Sequence, residues 1–311
     1  MRRSGLPRAQ RVADTLLHVP IFLLQTFHTA MSSTSDLYCV MGNPIEHSRS
    51  PWIHARFAEL TRQTLHYTRE LVALDGFAAA VQAFAAAGGR GCNVTVPFKL
   101  QAAELADSRS ERVTLAGAAN TLVLAEGRIH ADNTDGLGLV ADITVNAGLP
   151  LAGRDLLLIG AGGAAAGALG SLLAAQPRRI VVVNRTQEKA QALVERHAEL
   201  AARHGVELLA APLPAPGGAF DLVINASASS LSGAAVPVPA SVLRPGCLAY
   251  DMMYGPAAQG FLDWARAHGA HGRDGLGMLV EQAAESFALW RSVRPDGAPV
   301  LAELRALLAA A

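Results

Sequence analysis

The sequence predicts an α/β fold of two domains, each a sheet covered by helices, with an active-site cleft between them. Three observations predict it. Short apolar runs alternate with helix-length segments from Leu37 onward, the pattern of a mostly parallel sheet. The turn Gly160-Ala161-Gly162-Gly163-Ala164-Ala165 fits G-x-G-x-x-G/A between a strand-like and a helix-like run, as in Rossmann-type domains. The 311 residues are enough for two separate cores.

Leu37–Met41 reads as a short apolar strand, and Pro51–Thr61 as a helix with Trp52, Ala55 and Leu60 at apolar positions. Leu74–Ala87 is an alanine-rich helix closed by Gly88-Gly89. In Asn93-Val94-Thr95-Val96 the alternation sets polar groups on one strand face and valines on the other. Pro97 lacks a ladder donor and ends the strand. Lys99 then falls just past its C-terminal end, where open α/β sheets place their ligand crevice. A solvated lysine after an exposed strand edge is the plainer alternative at this point.

A second alternation starts at Asp155. Strand Leu156–Ile159, the glycine turn, helix Ala164–Ala175 and strand Ile180–Val183 come first. A charged helix Gln187–His204, a Pro/Gly loop over 212–218, and strands Leu222–Asn225 and Cys247–Tyr250 follow. Helix Leu276–Val293 and a tail helix from Pro299 close the chain. The expected division is a substrate domain of residues 31–135 plus 275–311 and a nucleotide domain of residues 136–274. Residues 1–30 are expected to be a disordered extension or a mis-assigned start, with Met31-Ser32-Ser33-Thr34 the more natural beginning.

Composition excludes several partners. Lys+Arg and Asp+Glu both total 26, so the neutral chain lacks the basic excess of a nucleic-acid footprint. The charge-free stretch from Leu156 to Pro177 is broken by five glycines, which argues against a membrane span. Cys39, Cys92 and Cys247 are scattered fillers of a reducing, cytoplasmic compartment, and no histidine has a partner at metal-ligand spacing.

In the nucleotide site, Gly160 suits the tight turn, Gly162 a close approach of pyrophosphate, and the following helix N-terminus the anion. After strand Ile180–Val183, an NAD site usually carries a carboxylate for the ribose hydroxyls. Here the residues are Asn184-Arg185-Thr186 with Lys189 behind, which suits a 2′-phosphate and therefore NADP. Solvated basic residues around a helix start capped by Thr186 are the alternative.

Asp135, in Asp132-Asn133-Thr134-Asp135-Gly136, is placed to pair with Lys99 and keep it charged and aimed, although the stretch also suits an Asx turn. Ser48 and Ser50 add two hydroxyls before a helix, where capping is the competing role. Met278 and Gln282, four residues apart, share one helical face.

These segments, Gly42–Pro51, Asn93–Lys99, Gly117–Thr121, Asp132–Gly136, the Gly160 loop, Asn184–Thr186 and Asp274–Leu279, together resemble the shikimate dehydrogenase family, in order and over nearly all of the chain after Leu37. The resemblance implies NADPH-dependent, reversible reduction of 3-dehydroshikimate to shikimate, on the route to chorismate and the aromatic amino acids, by a monomer or homodimer. It implies Lys99 and Asp135 as the catalytic pair and Ser48 and Ser50 as holders of the substrate carboxylate. Asn93, Thr95, Asn120 and Gln282 would bind ring oxygens or the carboxylate, with Tyr254 lining the same pocket. Toward the cofactor it implies Gly160, Ala161, Gly162, Gly163, Ala164, Asn184, Arg185, Thr186, Lys189, Ser227, Met252, Gly275 and Met278.

The chain departs from the family at Asn225-Ala226-Ser227-Ala228-Ser229-Ser230-Leu231-Ser232-Gly233, where a glycine is shifted or lost. A quinate/shikimate dehydrogenase using NAD or both cofactors is the neighbouring alternative. A non-catalytic ligand-binding relative would be expected to have lost Lys99 or Asp135.

Overall fold

In a computed structural model, residues 35–227 and 235–310 are described. The expectation for residues 1–30 lies outside them. So does the loop from Ala228 to Gly233.

Two six-stranded sheets organise the described residues. The first contains β1 (Asp36–Gly42), β2 (Leu65–Leu71), β3 (Gly89–Val94), β4 (Ser108–Arg109), β5 (Thr121–Ala125) and β6 (Arg128–Asp132), in the order β2-β1-β3-β5-β6-β4. Its β1–β2, β1–β3 and β4–β6 pairings are parallel. The β5–β6 hairpin introduces antiparallel pairings with β3 and within itself. Glu126 and Gly127, both at positive φ, make the two-residue turn, the conformation that matches strand twist.

The second sheet holds β7 (Asp155–Ile159), β8 (Arg179–Val183), β9 (Glu207–Ala211), β10 (Phe220–Asn225), β11 (Leu243–Asp251) and β12 (His271–Arg273). Its order β12-β11-β10-β7-β8-β9 is wholly parallel. Counted from β7 this is the 3-2-1-4-5-6 order of dinucleotide-binding sheets. Every residue of β7 is buried, as expected for a strand covered on both faces.

Helix α1 (Ser50–Thr61) packs with α9 (Leu276–Arg291) and α10 (Gly297–Ala309) through Ile53, Phe57, Val280, Ala284, Phe287, Val300 and Leu304. Helix α2 (Phe77–Ala86) covers the other face of the first sheet with Phe77 and Val81. On the second sheet, α6 (Gly163–Ala174) and α7 (Gln187–His204) pack against β7 and β8, and α4 (Glu111–Ala116) adds Ala116 to the same core. Phe261 and Ala265 of α8 (Gln259–Ala267) pack with Leu157 and Ile159, which point to the other face. Ala190, Leu193, His197, Leu200 and Ala201 form the buried stripe of α7, and Gly205 at φ 68° ends it in the left-handed cap its sequence predicts.

The structure corrects three sequence expectations. The strand expected over Asn93–Val96 ends at Val94, because Phe98 N–H turns back to Thr95 O at 3.0 Å and closes a turn ahead of the next helix. Val96 is therefore 63% exposed, and Lys99 begins a helix, α3 (Lys99–Leu105). Helix α2 starts at Phe77 rather than Leu74, after the turn in which Gly76 N–H bonds Ala73 O. The strand expected at Cys247–Tyr250 runs from Leu243 to Asp251, lengthened by an irregular pairing beside Phe220.

Between the sheets runs α5 (Asp135–Ala141), which continues as a π turn, Asp142–Asn146. A Cβ on Gly138 would strike the Gln282 backbone of α9, one on Gly136 the Gly167 carbonyl of α6, and one on Gly277 the Asp142 carboxylate. Only glycine permits helix backbones to approach this closely. Asp142 is wholly buried and accepts hydrogen bonds from Tyr250 Oη at 2.8 Å, Asn146 Nδ2 at 2.9 Å and both ends of the Arg273 guanidinium, at 2.8 and 2.5 Å. Burial, and after it the nearby carboxylate, push the Tyr250 phenol well above its ordinary range. Removing the carboxylate leaves Arg273 uncompensated, so Asp142→Ala is expected to lower unfolding free energy by about 3–5 kcal/mol. Urea denaturation followed by circular dichroism checks this; a midpoint equal to that of the unaltered chain would refute it.

Candidate active site

The sequence Asp132-Asn133-Thr134-Asp135 spans the end of β6 and the start of α5, and each side chain has a separate task. Asp132 takes Ser110 Oγ at 2.6 Å and a two-point contact from Arg112 at 3.1 and 2.6 Å. Asn133 is wholly buried; its Oδ1 accepts Asp135 N–H at 3.1 Å and its Nδ2 bonds Ala118 O at 2.9 Å. The first of these is an Asx-type contact, so the turn reading and the site reading hold together. Thr134 N–H donates to Asn120 Oδ1 at 2.8 Å.

Asp135 is thereby aimed at Lys99. Its Oδ2 lies 2.5 Å from Lys99 Nζ, and its Oδ1 accepts Asn120 Nδ2 at 2.8 Å. The lysine side chain keeps 30% exposure against 12% for the carboxylate, so the pair sits at the wall of an open space rather than in the core. Charge-assisted contacts in such a partly desolvated setting are stronger than in water.

That space is a cavity of about 360 Å³. Ser48, Ser50, Asn93, Thr95, Lys99, Asn120, Asp135, Tyr254 and Gln282 all line it, as do Met252, Gly275 and Met278. The structure thus gathers every residue expected to be catalytic or to contact substrate, together with three of those expected near the cofactor. It also adds His47, Arg49 and Leu279, which sequence reasoning passed over. Neither serine hydroxyl caps α1 in the usual way: Arg49 holds the N-cap position, and Ser48 Oγ accepts the Ser50 N–H at 3.3 Å. Burial pushes the Tyr254 phenol upward, while the field of Arg49 opposes that shift.

Behind the cavity lies a buried polar network that the sequence did not reveal. Asn93 Oδ1 receives Tyr67 Oη at 2.7 Å and lies 3.2 Å from His54 Nε2. Its Nδ2 faces Asn120 O, Thr121 Oγ1 and Ser286 Oγ at 3.2, 3.2 and 2.9 Å. Thr121 Oγ1 in turn donates to Asn120 Oδ1 at 2.9 Å. Asn93 therefore borders the cavity while its amide holds Asn120 in place. Gln282, from α9, accepts Asn120 Nδ2 at 3.1 Å. The His54 ring stacks on Tyr67 at 4.2 Å between centroids.

The residues expected to hold the nucleotide phosphates lie at the C-terminal ends of β7, β8 and β10. Gly160 has φ +112°, and a Cβ there would lie 3.0 Å from Ala226 O, so the turn after β7 passes directly beneath the end of β10. At Gly162 and Gly163 an added Cβ meets nothing within 4 Å. No side chain caps α6, which leaves its first-turn N–H groups directed outward, the setting of an anion site. Arg185, Thr186 and Lys189 are exposed beyond β8, and Asn184 Nδ2 bonds Thr186 O at 2.8 Å. Ser227 donates to Asn225 Oδ1 at 2.7 Å, which anchors the start of the loop after β10. Gly275 is required by the Met252 carbonyl pressed against it, and Met278 both packs in the core and faces the cavity. The residues fit a dinucleotide phosphate. Among the described residues there is no cluster suited to a metal ion and no helix long and apolar enough to cross a membrane.

A dinucleotide-binding sheet beside a polar cavity with a lysine–carboxylate pair defines the class of nicotinamide-dependent dehydrogenases of small hydroxylated substrates. Family comparisons narrow the class. Residues 40–122 match the shikimate dehydrogenase substrate binding domain, residues 140–232 the shikimate/quinate 5-dehydrogenase family, and residues 275–305 the shikimate 5′-dehydrogenase C-terminal domain. A protein of Acidovorax ebreus (strain TPSY) named shikimate dehydrogenase (NADP(+)) is 75% identical over 280 residues, covering 90% of this chain and 99% of its own length. The crystal structure of an Ael1 enzyme from Pseudomonas putida superposes with a TM-score of 0.81 at 48% identity, covering 87% of this chain and 98% of that one. Shikimate 5-dehydrogenase from Thermus thermophilus, solved in complex with NADP(H) and shikimate, gives 0.76 at 31% identity, with 87% and 98% covered. The chain belongs to the shikimate dehydrogenase family.

The buried network has a measurable signature in pH. Desolvation pushes the His54 imidazole down to about 3, against the opposing bond to Asn93. A histidine whose folded pKa lies below its unfolded value near 6.5 stabilises the fold above that value, and the contribution is lost as pH falls toward 3. Within that window the single proton costs about 1.4 kcal/mol per pH unit. Unfolding free energies measured from pH 6.5 to 4 are expected to fall less steeply, by about that slope, in His54→Gln. Parallel profiles would assign the acid sensitivity to other groups.

Proposed function

We propose that the chain catalyses the reversible, NADPH-dependent reduction of 3-dehydroshikimate to shikimate, a step toward chorismate and the aromatic amino acids. The observation that carries this reading is the Lys99–Asp135 pair, 2.5 Å apart, on the wall of a cavity that also presents the hydroxyls of Ser48, Ser50, Thr95 and Tyr254 and the amides of Asn93, Asn120 and Gln282. The names of the similar proteins support the same substrate and cofactor. In this reading residues 31–135 and 275–311 form the substrate domain and residues 136–274 the NADP domain, in a cytoplasmic monomer or homodimer.

NADPH, when bound, supplies the hydride. The turn from Gly160 to Ala164 and the N-terminus of α6 would hold its pyrophosphate, and Asn184, Arg185, Thr186 and Lys189 its adenosine 2′-phosphate. Ser227, Met252, Gly275 and Met278 would border its nicotinamide end. Ser48 and Ser50 donate to the substrate carboxylate, and Tyr254 closes that side. Thr95, Asn120 and Gln282 read ring oxygens, with Asn93 holding the wall they share. Lys99 donates a hydrogen bond to the C3 oxygen and stabilises the charge that develops there, its Nζ proton being the one available to that oxygen. Asp135 orients Nζ, and its own position is fixed by Asn120.

The test is to offer shikimate or quinate with NADP+ or NAD+ to the purified chain and follow reduced nicotinamide by absorbance. Shikimate with NADP+ is the expected pair; a clear preference for quinate with NAD+ would overturn the proposal. Lys99→Ala is expected to lower kcat by about 10²–10⁴-fold with little change in KM, since its interaction strengthens in the transition state. A rise in KM at constant kcat would instead make Lys99 a binding group. Arg185→Ala is expected to raise the KM for NADP+ by about tenfold or more while leaving that for NAD+ unchanged, the effect of losing one charge-assisted hydrogen bond.

A further inference from the structure

We infer that Arg49 is a substrate-binding residue, the cation that receives the carboxylate of the substrate at the serine-lined end of the cavity. The inference rests on the function proposed above.

Three charged side chains line the cavity, Arg49, Lys99 and Asp135, together with the titratable His47. Lys99 and Asp135 neutralise one another at 2.5 Å. Arg49 has no ion pair among the described residues, so the wall keeps an uncompensated positive charge. Glu46, the neighbouring acid, turns its Oε2 to Ile45 N–H at 3.1 Å and does not line the cavity. Arg69 is engaged from outside, with Nε and Nη2 on the Ser48 carbonyl at 3.0 and 2.6 Å, and fixes the loop.

Backbone geometry explains why a side chain must supply the charge. Arg49 is the N-cap of the twelve-residue helix α1, with Ser48 before it and Ser50 after it, both on the cavity wall. A helix N-terminus attracts anions through free N–H groups. Here Ser50 N–H is taken by Ser48 Oγ, Pro51 has none, and Ile53 N–H is taken by Arg49 O. The end of α1 thus offers few donors, and two neutral hydroxyls orient a carboxylate without matching its charge. A carboxylate moved from water into a partly enclosed cavity needs an opposite charge to offset lost hydration. Arg49 stands near enough to Tyr254, on the same wall, for its field to act on the phenol. Guanidinium, phenol and two hydroxyls then form a four-sided receptor for one anionic group.

The test compares the unaltered chain, Arg49→Leu and Arg49→Lys with shikimate and with its methyl ester, which lacks the charge. Both turnover with NADP+ and equilibrium binding by calorimetry are measured. Arg49→Leu is expected to raise the KM and Kd for shikimate about tenfold, with kcat within about twofold and the KM for NADP+ unchanged. The same substitution should leave ester binding nearly unaltered, and Arg49→Lys should recover most of the loss. High salt, which shortens the screening length from about 10 Å at 0.1 M to about 3 Å at 1 M, should weaken shikimate binding to the unaltered chain more than to Arg49→Leu. Equal losses for acid and ester, or no loss for either, would overturn the role of Arg49. Shikimate binding that depends on Arg49 without turnover would overturn the proposed reaction and keep this inference. Absence of both binding and turnover in the unaltered chain would overturn both.

Discussion

Helix α5 crosses α9 at a separation that only glycine allows, and the cavity is assembled around that crossing. Gly138 lies against the Gln282 backbone and Gly277 against the Asp142 carboxylate. The first residue of α5 is Asp135, and Gln282 is the α9 residue that reaches Asn120. One helix contact therefore fixes the spacing of groups drawn from β6, α5 and α9. The opposite end of α5 is secured by Asp142, whose partners come from β11 and β12 of the second sheet. The element that delivers the carboxylate to Lys99 is the same one that joins the two sheets.

Burying so many polar groups is costly unless each is matched. The cavity wall meets this condition by sharing: Asn120 engages Thr134, Asp135 and Gln282 through one amide group, and Asn93 serves Asn120, Thr121 and Ser286. The unmatched atom in this network is His54 Nδ1, set among aromatic rings. Because the imidazole is held neutral there, it presents a single donor, and Asn93 Oδ1 is turned to meet it. A network of this kind specifies one arrangement of side chains more sharply than an apolar core of the same volume.

Much of this was legible in the residues themselves. The βα alternation, the glycine turn and the amphipathic stripe of α7 rest on local periodicity, and α7 begins and ends where its pattern does. Lys99 was visible because it stood past the end of a polar-faced strand, whereas Asp135 and the serine loop took their roles from the resemblance of their segments to a family. The short elements β2, β4, α4 and the β5–β6 hairpin were not, since brief stretches held by long-range pairing carry no period of their own. The turn at Thr95–Phe98 won over the apparent alternation because the pairing of β3 with β5 stops at Asn93, leaving the chain beyond Val94 bonded on the β1 side alone. His54, Tyr67, Thr121 and Ser286 gave no signal in the chain, being far apart in sequence and joined only by folding. Arg49 does carry a local pattern, a cation between two hydroxyls just before a helix.

The saturation of Asn93 divides the cavity into parts with different freedom to change. The lysine and carboxylate are braced from behind by groups whose bonds are already taken, so a substitution there propagates through the whole lattice of amides and hydroxyls. Arg49, on the wall of the same cavity, has no ion pair or side-chain hydrogen bond to that lattice among the described residues. Selection can therefore alter which acid or polyol is admitted, one rim residue at a time, while the reacting centre is inherited unchanged. The separation of a rigid chemical half from an adjustable recognition half is a physical route by which one scaffold accommodates a family of related substrates.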